Sequence, residues 1–272
     1  MNQLQTDTTL RVKTCDNVVS VVWEADDLTH TQSSYDKTRP GYLQDNFAQL
    51  MAGGMLLGHE QFPLRGRAAH LGVGGGVLAR FTCDTLHMQT HGVELSPTMT
   101  ALARLLFGLR EEVQLTQADG MRWIARPECS DAFELIVSHM FLPGTLGPLP
   151  ATREFCESCR AALNPAEGTL VCNLGSINLG PHKAIADLAS VFGAKHGLLL
   201  LLQPLHRFSN VIAVASTNRV LDAQCLRQRT HDIERLFVDN GLTATQLQAS
   251  LLPSLELPPC PSEPTNQGSL PG

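Results

Sequence analysis

Apolar and polar positions change period along this chain, and the changes divide it. Residues 10–31 alternate in short runs, Leu10 to Thr14, Val18 to Glu24 and Thr29 to Gln32. Alternation at period two predicts β-strands, and Cys15-Asp16-Asn17 and Ala25-Asp26-Asp27 supply the turns. Gln44 to Leu57 then repeats at helical spacing. From there short apolar runs recur between helical stretches: Ala68 to Leu71, His91 to Leu95, Val113 to Ala118, Phe133 to Val137, Gly168 to Asn173, Leu198 to Gln203 and Val211 to Ser216. Strands alternating with helices predict an α/β fold with a doubly wound sheet, here of seven strands. Only Pro204 to Asn210 separates the last two runs. A parallel crossover needs about a dozen residues or more, so this pair is expected to be antiparallel. That ending suits a methyltransferase-type sheet.

The chemistry concentrates at the first strand of that series. Residues 70–76 read HLGVGGG, and Val77 to Phe81 restarts at helical spacing. Strand, glycine turn and helix N-terminus form a cradle in which the main chain can approach a ligand. The dinucleotide fingerprint G-x-G-x-x-G fails at Val77; the pattern from Gly72 is G-x-G-x-G, common among enzymes that use S-adenosylmethionine. The next strand ends in Glu94, where a carboxylate can take ribose hydroxyls, and the third ends in Asp119-Gly120, near the expected adenine. The alternative for each acid is an ordinary turn or N-cap carboxylate. Ser96 as N-cap with Pro97 behind it opens the helix that follows Glu94 and Leu95, running to Phe107.

Composition narrows the picture. The 272 residues are 43% hydrophobic and 17% charged, enough for one large domain and a small one, with formal net charge −6. That balance, with no Lys/Arg cluster, argues against nucleic acid as a partner. The leucine run at 198–202 is far short of a membrane span, and the N-terminal residues lack an apolar signal core, so the expected location is cytoplasmic with no membrane partner. The eight cysteines contain one C-x-x-C pair, Cys156 and Cys159, inside a helix expected from Thr152 to Leu163. No second pair exists, so no metal is expected. The division expected is a β-strand region over 1–45, a nucleoside-binding domain over 46–252, and a tail over 253–272 whose Pro, Ser and Gly content predicts disorder. Two or three strands are marginal alone, which favours packing on the main domain or on a second copy in a homodimer.

These pieces, in this order, resemble the spermidine synthase (polyamine aminopropyltransferase) family, in particular its divergent bacterial members. The resemblance runs from about Val18 to Ser216. It rests on Gln32-Ser33, Arg39-Pro40, Leu43, LGVGGGVLARF from Leu71 to Phe81, Val93 to Pro97, Phe107-Gly108, Ala118 to Gly120, Phe141, Glu154-Phe155 and Asn173-Leu174. It implies a small N-terminal β-domain on a methyltransferase-type core. It also implies a decarboxylated S-adenosylmethionine co-substrate and aminopropyl transfer to an amine. Gln32, Gly72, Gly74, Gly75, Gly76, Glu94 and Asp119, with their neighbours Leu95 and Gly120, would be its contacts. The chain departs from the family at the acids. Gly75 stands where a loop Asp holds the aminopropyl amine, and His139 stands where an Asp helps deprotonate the acceptor. The aromatic-Gln pair of the diamine pocket corresponds to Phe47-Ala48. A histidine at a strand's carboxyl end can serve as a base near neutrality. A methyltransferase using intact S-adenosylmethionine, and a non-catalytic nucleoside binder, remain alternatives.

Overall fold

A computed structural model describes residues 9–25, 28–59, 64–141, 151–193, 197–203 and 210–253. The disorder expected from Pro253 onward therefore falls, but for Pro253 itself, outside the described residues. Two sheets form. The first is an antiparallel meander of β1 (Thr9–Cys15), β2 (Val18–Ala25) and β3 (Leu28–Asp36). The second has seven strands in the order β6-β5-β4-β7-β8-β10-β9: β4 (Arg67–Leu71), β5 (Gln89–Glu94), β6 (Gln114–Gln117), β7 (Leu135–Ser138), β8 (Thr169–Ser176), β9 (Leu198–Leu202) and β10 (Asn210–Ser216). The expected fold class, a methyltransferase-type sheet with an antiparallel end, is the observed one. The finer detail is that β10 inserts between β8 and β9 and runs antiparallel to both.

Central strands buried on both faces read as continuous apolar runs, and β4, β7 and β8 do so. Their side chains alternate between two cores. Leu135 and Val137 face α1 (Asn46–Leu57), α8 (Arg229–Phe237) and α9 (Ala244–Ser250), while Ile136 faces α4 (Gly120–Ile124), α5 (Arg153–Ala162) and α6 (His182–Phe192). Helix α1 is buried nearly all round, from Ala48 to Leu57, which explains its apolar character on every face. The C-terminal helices, with the short α7 (Ala223–Leu226), have no counterpart among the sequence expectations. Their signal was present: Thr230, Ile233 and Phe237 are buried at helical spacing.

The order of strands reverses between β4 and β7. Chain leaving β4 turns toward β5 and chain leaving β7 turns toward β8, which opens a crevice at the carboxyl ends. The first sheet closes over one side of it. Val19 and Val21 pack with Met99 of α3 (Pro97–Leu105) and with Phe107. Arg80, at the end of α2 (Val77–Arg80), clasps the two parts together. Its guanidinium donates to the carbonyls of Phe107 (2.8 Å) and Pro40 and lies 4.6 Å from the Tyr35 ring centre. A π-turn over Phe81–Thr85 continues α2, where only α-helix was expected.

Candidate functional site

Leaving β4, the chain passes Gly72 at φ +81°, then Gly74 and Gly76, also with positive φ. Gly72 is required twice over. Any Cβ there would lie 2.5 Å from the His139 carbonyl oxygen, because the glycine turn and the exit of β7 share one floor. His139 N–H donates to Leu71 O on that floor (2.9 Å).

All five N–H groups of residues 72–76 have protein acceptors. Gly72 donates to Val93 O, Gly76 donates to Val73 O, and Val73 and Gly74 donate to Glu94 Oε2 at 2.9 and 3.1 Å. Gly75 donates to Ser33 Oγ at 3.0 Å. None is left for a phosphate, and α2 is a single turn. A dinucleotide cradle works by the opposite arrangement, with free N–H groups aimed at pyrophosphate. Glu94 Oε1 also accepts from Ser96 N–H (2.9 Å). A carboxylate offers about four acceptor positions, so three are in use and one remains for a hydroxyl. Glu94 thus fastens the glycine turn as well as facing the crevice.

Leu95 follows at 55% exposure, a large apolar side chain on the rim beside Glu94. Asp119 is the N-cap of α4. Its Oδ1 accepts from Met121 N–H (2.9 Å) and Arg122 N–H (3.4 Å), while Oδ2 lies 3.9 Å from Arg122 Nε. Gly120 is buried under Met140, whose Sδ would lie 2.7 Å from an added Cβ. Gln32 sits half-buried on β3, next to the Ser33 that touches the glycine turn.

His139 stands on the other bank of the crevice. Its ring stacks on Phe47 at 4.8 Å and 15°, and Phe141 meets it edge-on at 4.8 Å and 63°. All three rings are half-buried. Asn173, buried on β8, has its amide orientation set by Gly175 N–H, which donates to Oδ1 at 2.8 Å. Asn173 Nδ2 then donates to His139 Nδ1 (3.2 Å), which assigns the ring proton to Nε2. Loss of water around the ring pushes its pKa down to about 4, so the imidazole is neutral at pH 7.

Positions 75 and 139, where the resemblance leads one to expect acids, hold Gly75 and His139, and the structure gives a reason for one. A Cβ on Gly75 would lie 2.7 Å from Ser33 Cβ and 2.9 Å from the Phe107 ring. No side chain fits while β3 sits on the turn. Of the nearby acids, Asp36 is engaged with Thr38 in an exposed turn. Asp45, two residues before Phe47, accepts from Ser34 N–H (2.9 Å), and burial raises its pKa. Among the described residues no group of three or more His, Cys, Asp or Glu is placed to hold a metal. Cys156 and Cys159 are packed against the core containing Cys172, and burial pushes Cys156 and Cys172 up to about 12.

The structure therefore brings Gly72 to Gly76 and Glu94 together with His139 across one crevice, with Asp119 on the same rim. Sequence reasoning missed the roles of Ser33 and Asn173. Both act over long sequence separations, 42 and 34 residues, and carry no local signal.

No family model matches the chain. Over 128 residues, 45% of the chain, it is 31% identical to a probable polyamine aminopropyl transferase of Bifidobacterium longum, and the match spans 28% of that relative's length. A probable spermidine synthase from Corynebacterium glutamicum shares the fold with a TM-score of 0.67 at 18% identity, over 87% of this chain and 92% of that one. Human methyltransferase-like protein 13, solved in complex with SAH, gives a TM-score of 0.60 at 24% identity, over 71% and 93%. The resemblance drawn from the motifs recurs in a curated relative and in the fold. At these identities the solved structures speak for the fold alone.

Proposed function

We propose that this chain, which resembles spermidine synthases in motifs and fold, is a transferase that binds an S-adenosylmethionine-type nucleoside in the crevice between β4 and β7. One observation carries the reading: every N–H of the glycine turn is satisfied within the protein, so the turn suits a nucleoside without phosphates. The residues present fit such a ligand. Glu94 keeps one acceptor position for a ribose hydroxyl, Leu95 offers an apolar face for a base, and Asp119, Gly120 and Gln32 flank them. Bound there, a sulfonium nucleoside supplies an electrophilic carbon and its own thioether leaving group. A good leaving group asks little acid catalysis of the protein, and orientation can supply much of the rate. His139 is the residue on the acceptor bank, held neutral and in one tautomer by Asn173 and the two phenylalanines.

The finer reading is aminopropyl transfer to an amine, supported by the Bifidobacterium relative. Methyl transfer from intact S-adenosylmethionine is the second reading, favoured by the packing of Ser33 against Gly75, which leaves no carboxylate for an aminopropyl ammonium. The deciding experiment incubates the protein separately with decarboxylated and intact S-adenosylmethionine, each with a polyamine panel and with a panel of uncharged aromatic amines. Methylthioadenosine above the no-enzyme control, lost in Glu94→Ala, supports aminopropyl transfer. S-adenosylhomocysteine alone supports methyl transfer. Failure of both nucleosides to bind, measured calorimetrically, removes the transferase reading.

A further inference from the structure

The acceptor bank of the crevice is built from the exits of β7 and β8 and the start of α1. Among the described residues of these exits, 135–141 and 168–178 contain no Asp, Glu, Lys or Arg. What this bank presents is aromatic and amide surface: Phe47 and Phe141, each half-buried and in contact with the His139 ring, with Asn173 behind them. A cluster of rings left partly open at a topological switch point is a place for an apolar ligand face.

A polycationic acceptor would meet this surface badly. Each ammonium leaving water needs a carboxylate or several acceptors to replace its hydration. The nearest acid by chain, Asp45, is tied to Ser34 N–H. Cation–π attraction could substitute only in part, because His139 already covers one face of the Phe47 ring. The chemistry agrees with the binding argument. An ammonium must lose a proton before its nitrogen can attack, and His139, with Nδ1 engaged by Asn173, is a weak base. A nucleophile that is uncharged at pH 7 already has its lone pair. That pair forms the bond to the carbon next to the sulfonium as the carbon–sulfur bond breaks, and the electrons of that bond leave with the neutral thioether. The proton of the resulting aromatic cation, far more acidic than an alkylammonium, passes to water.

We propose that the acceptor is a flat, uncharged nucleophile, held against Phe47, His139 and Phe141, and that di- and polyamines are excluded. This rests on the transferase reading, but its test stands apart from it. The full chain at pH 7.5 is titrated with 5-fluoroindole, followed by ¹⁹F NMR, and with 1,4-diaminobutane, followed by calorimetry. Both titrations are run with and without S-adenosylhomocysteine. Fluoroindole is expected to bind at least tenfold more tightly than the diamine. Its affinity should fall at least fivefold in Phe141→Ala, with the melting temperature of that variant checked. His139→Asp, which adds the missing carboxylate, should shift preference toward the diamine. Equal or tighter diamine binding, no binding of fluoroindole, or fluoroindole binding unchanged in a folded Phe141→Ala overturns the proposal. If S-adenosylhomocysteine fails to bind while fluoroindole selectivity holds, the nucleoside reading falls and the acceptor surface stands.

Discussion

Replacing Gly75 by alanine tests whether the glycine turn and the first sheet are built as one unit. Gly75 does not owe its identity to a left-handed backbone, since its φ is not among the positive ones. It owes it to space. An added methyl would press on Ser33 Cβ at 2.7 Å and on two Phe107 ring atoms at 2.9 Å, in a region where Ser33 is 4% and Phe107 0% exposed. Neither neighbour is the tip of a flexible chain. Overpacking of a tight core costs about 1–3 kcal/mol, which for a chain of this size is roughly 2–10 °C in Tm. Gly41→Ala is the control, because its Cβ would meet only the Asn240 amide at 3.3 Å and should change stability by less than about 0.5 kcal/mol.

A second substitution sharpens this. Ser33→Ala keeps the crowding Cβ and removes the acceptor of Gly75 N–H, so it should add about 1–3 kcal/mol of its own for an orphaned buried donor. Ser33→Gly removes the Cβ as well and should recover part of the loss in Gly75→Ala; the Phe107 contact keeps the recovery incomplete. Urea midpoints at unchanged m-value give the coupling. A Gly75→Ala protein that melts within a degree of the parent, with nucleoside binding intact, would refute the claim that β3 excludes side chains from position 75.

Glu94→Gln should weaken S-adenosylhomocysteine binding at least tenfold by calorimetry, since it exchanges charge-assisted bonds to three N–H groups for weaker ones. His70 is buried against Thr82 (2.9 Å), and its pKa falls to about 3 from 6.5. The unfolded chain therefore binds a proton at this site that the folded chain refuses, and His70 should remove about 1.4 kcal/mol of stability per pH unit as pH drops below 6.5. NMR should show the His70 and His139 rings still neutral at pH 5. Arg80→Met should cost about 2–4 kcal/mol by leaving the Phe107 and Pro40 carbonyls unpaired, and should expose the first sheet to limited proteolysis. In a thiol titration of the native protein, the exposed Cys15 and Cys225 should react, whereas Cys156, Cys159 and Cys172 should wait for unfolding.

The sheet was legible because its signals are local. Apolar runs of strand length stood between helical stretches, and a connection too short for a crossover set the antiparallel end. Ser96 caps α3 through Met99 N–H, with Pro97 at its first position, as the residue types imply. Glu94 could be placed on the rim because it ends a strand next to a glycine turn. The uses of that carboxylate were not legible. That Glu94 also ties down Val73 and Gly74 depends on how β4 and β5 pair. Likewise Asp119 reads the same from sequence whether it faces a ligand or caps a helix, and its Oδ1 caps. Ser33 and Asn173 are ordinary polar residues in strands until folding sets them beside Gly75 and His139.

The two banks of the crevice differ in kind. The Glu94 bank is held by charge-assisted bonds from an acid to main-chain N–H groups. The opposite bank is held by ring stacking and an amide relay, with no Asp, Glu, Lys or Arg among its described residues 46–58, 135–141 and 168–178. A carboxylate at position 139 would lie beside Phe47 and Phe141 and would accept from Asn173 Nδ2 in place of the ring nitrogen, buried without a cation to compensate it. An acid at position 139 and this aromatic lining are thus alternatives: without a bound cation, neutral rings are the more stable lining. The same reasoning applies at position 75, where the space for an acidic side chain has closed under Ser33. Neither Gly75 nor His139 brings negative charge to the crevice, while Glu94 does. On the proposed transferase reading, that pattern suits an uncharged acceptor beside a nucleoside, with Glu94 still bonded to the turn.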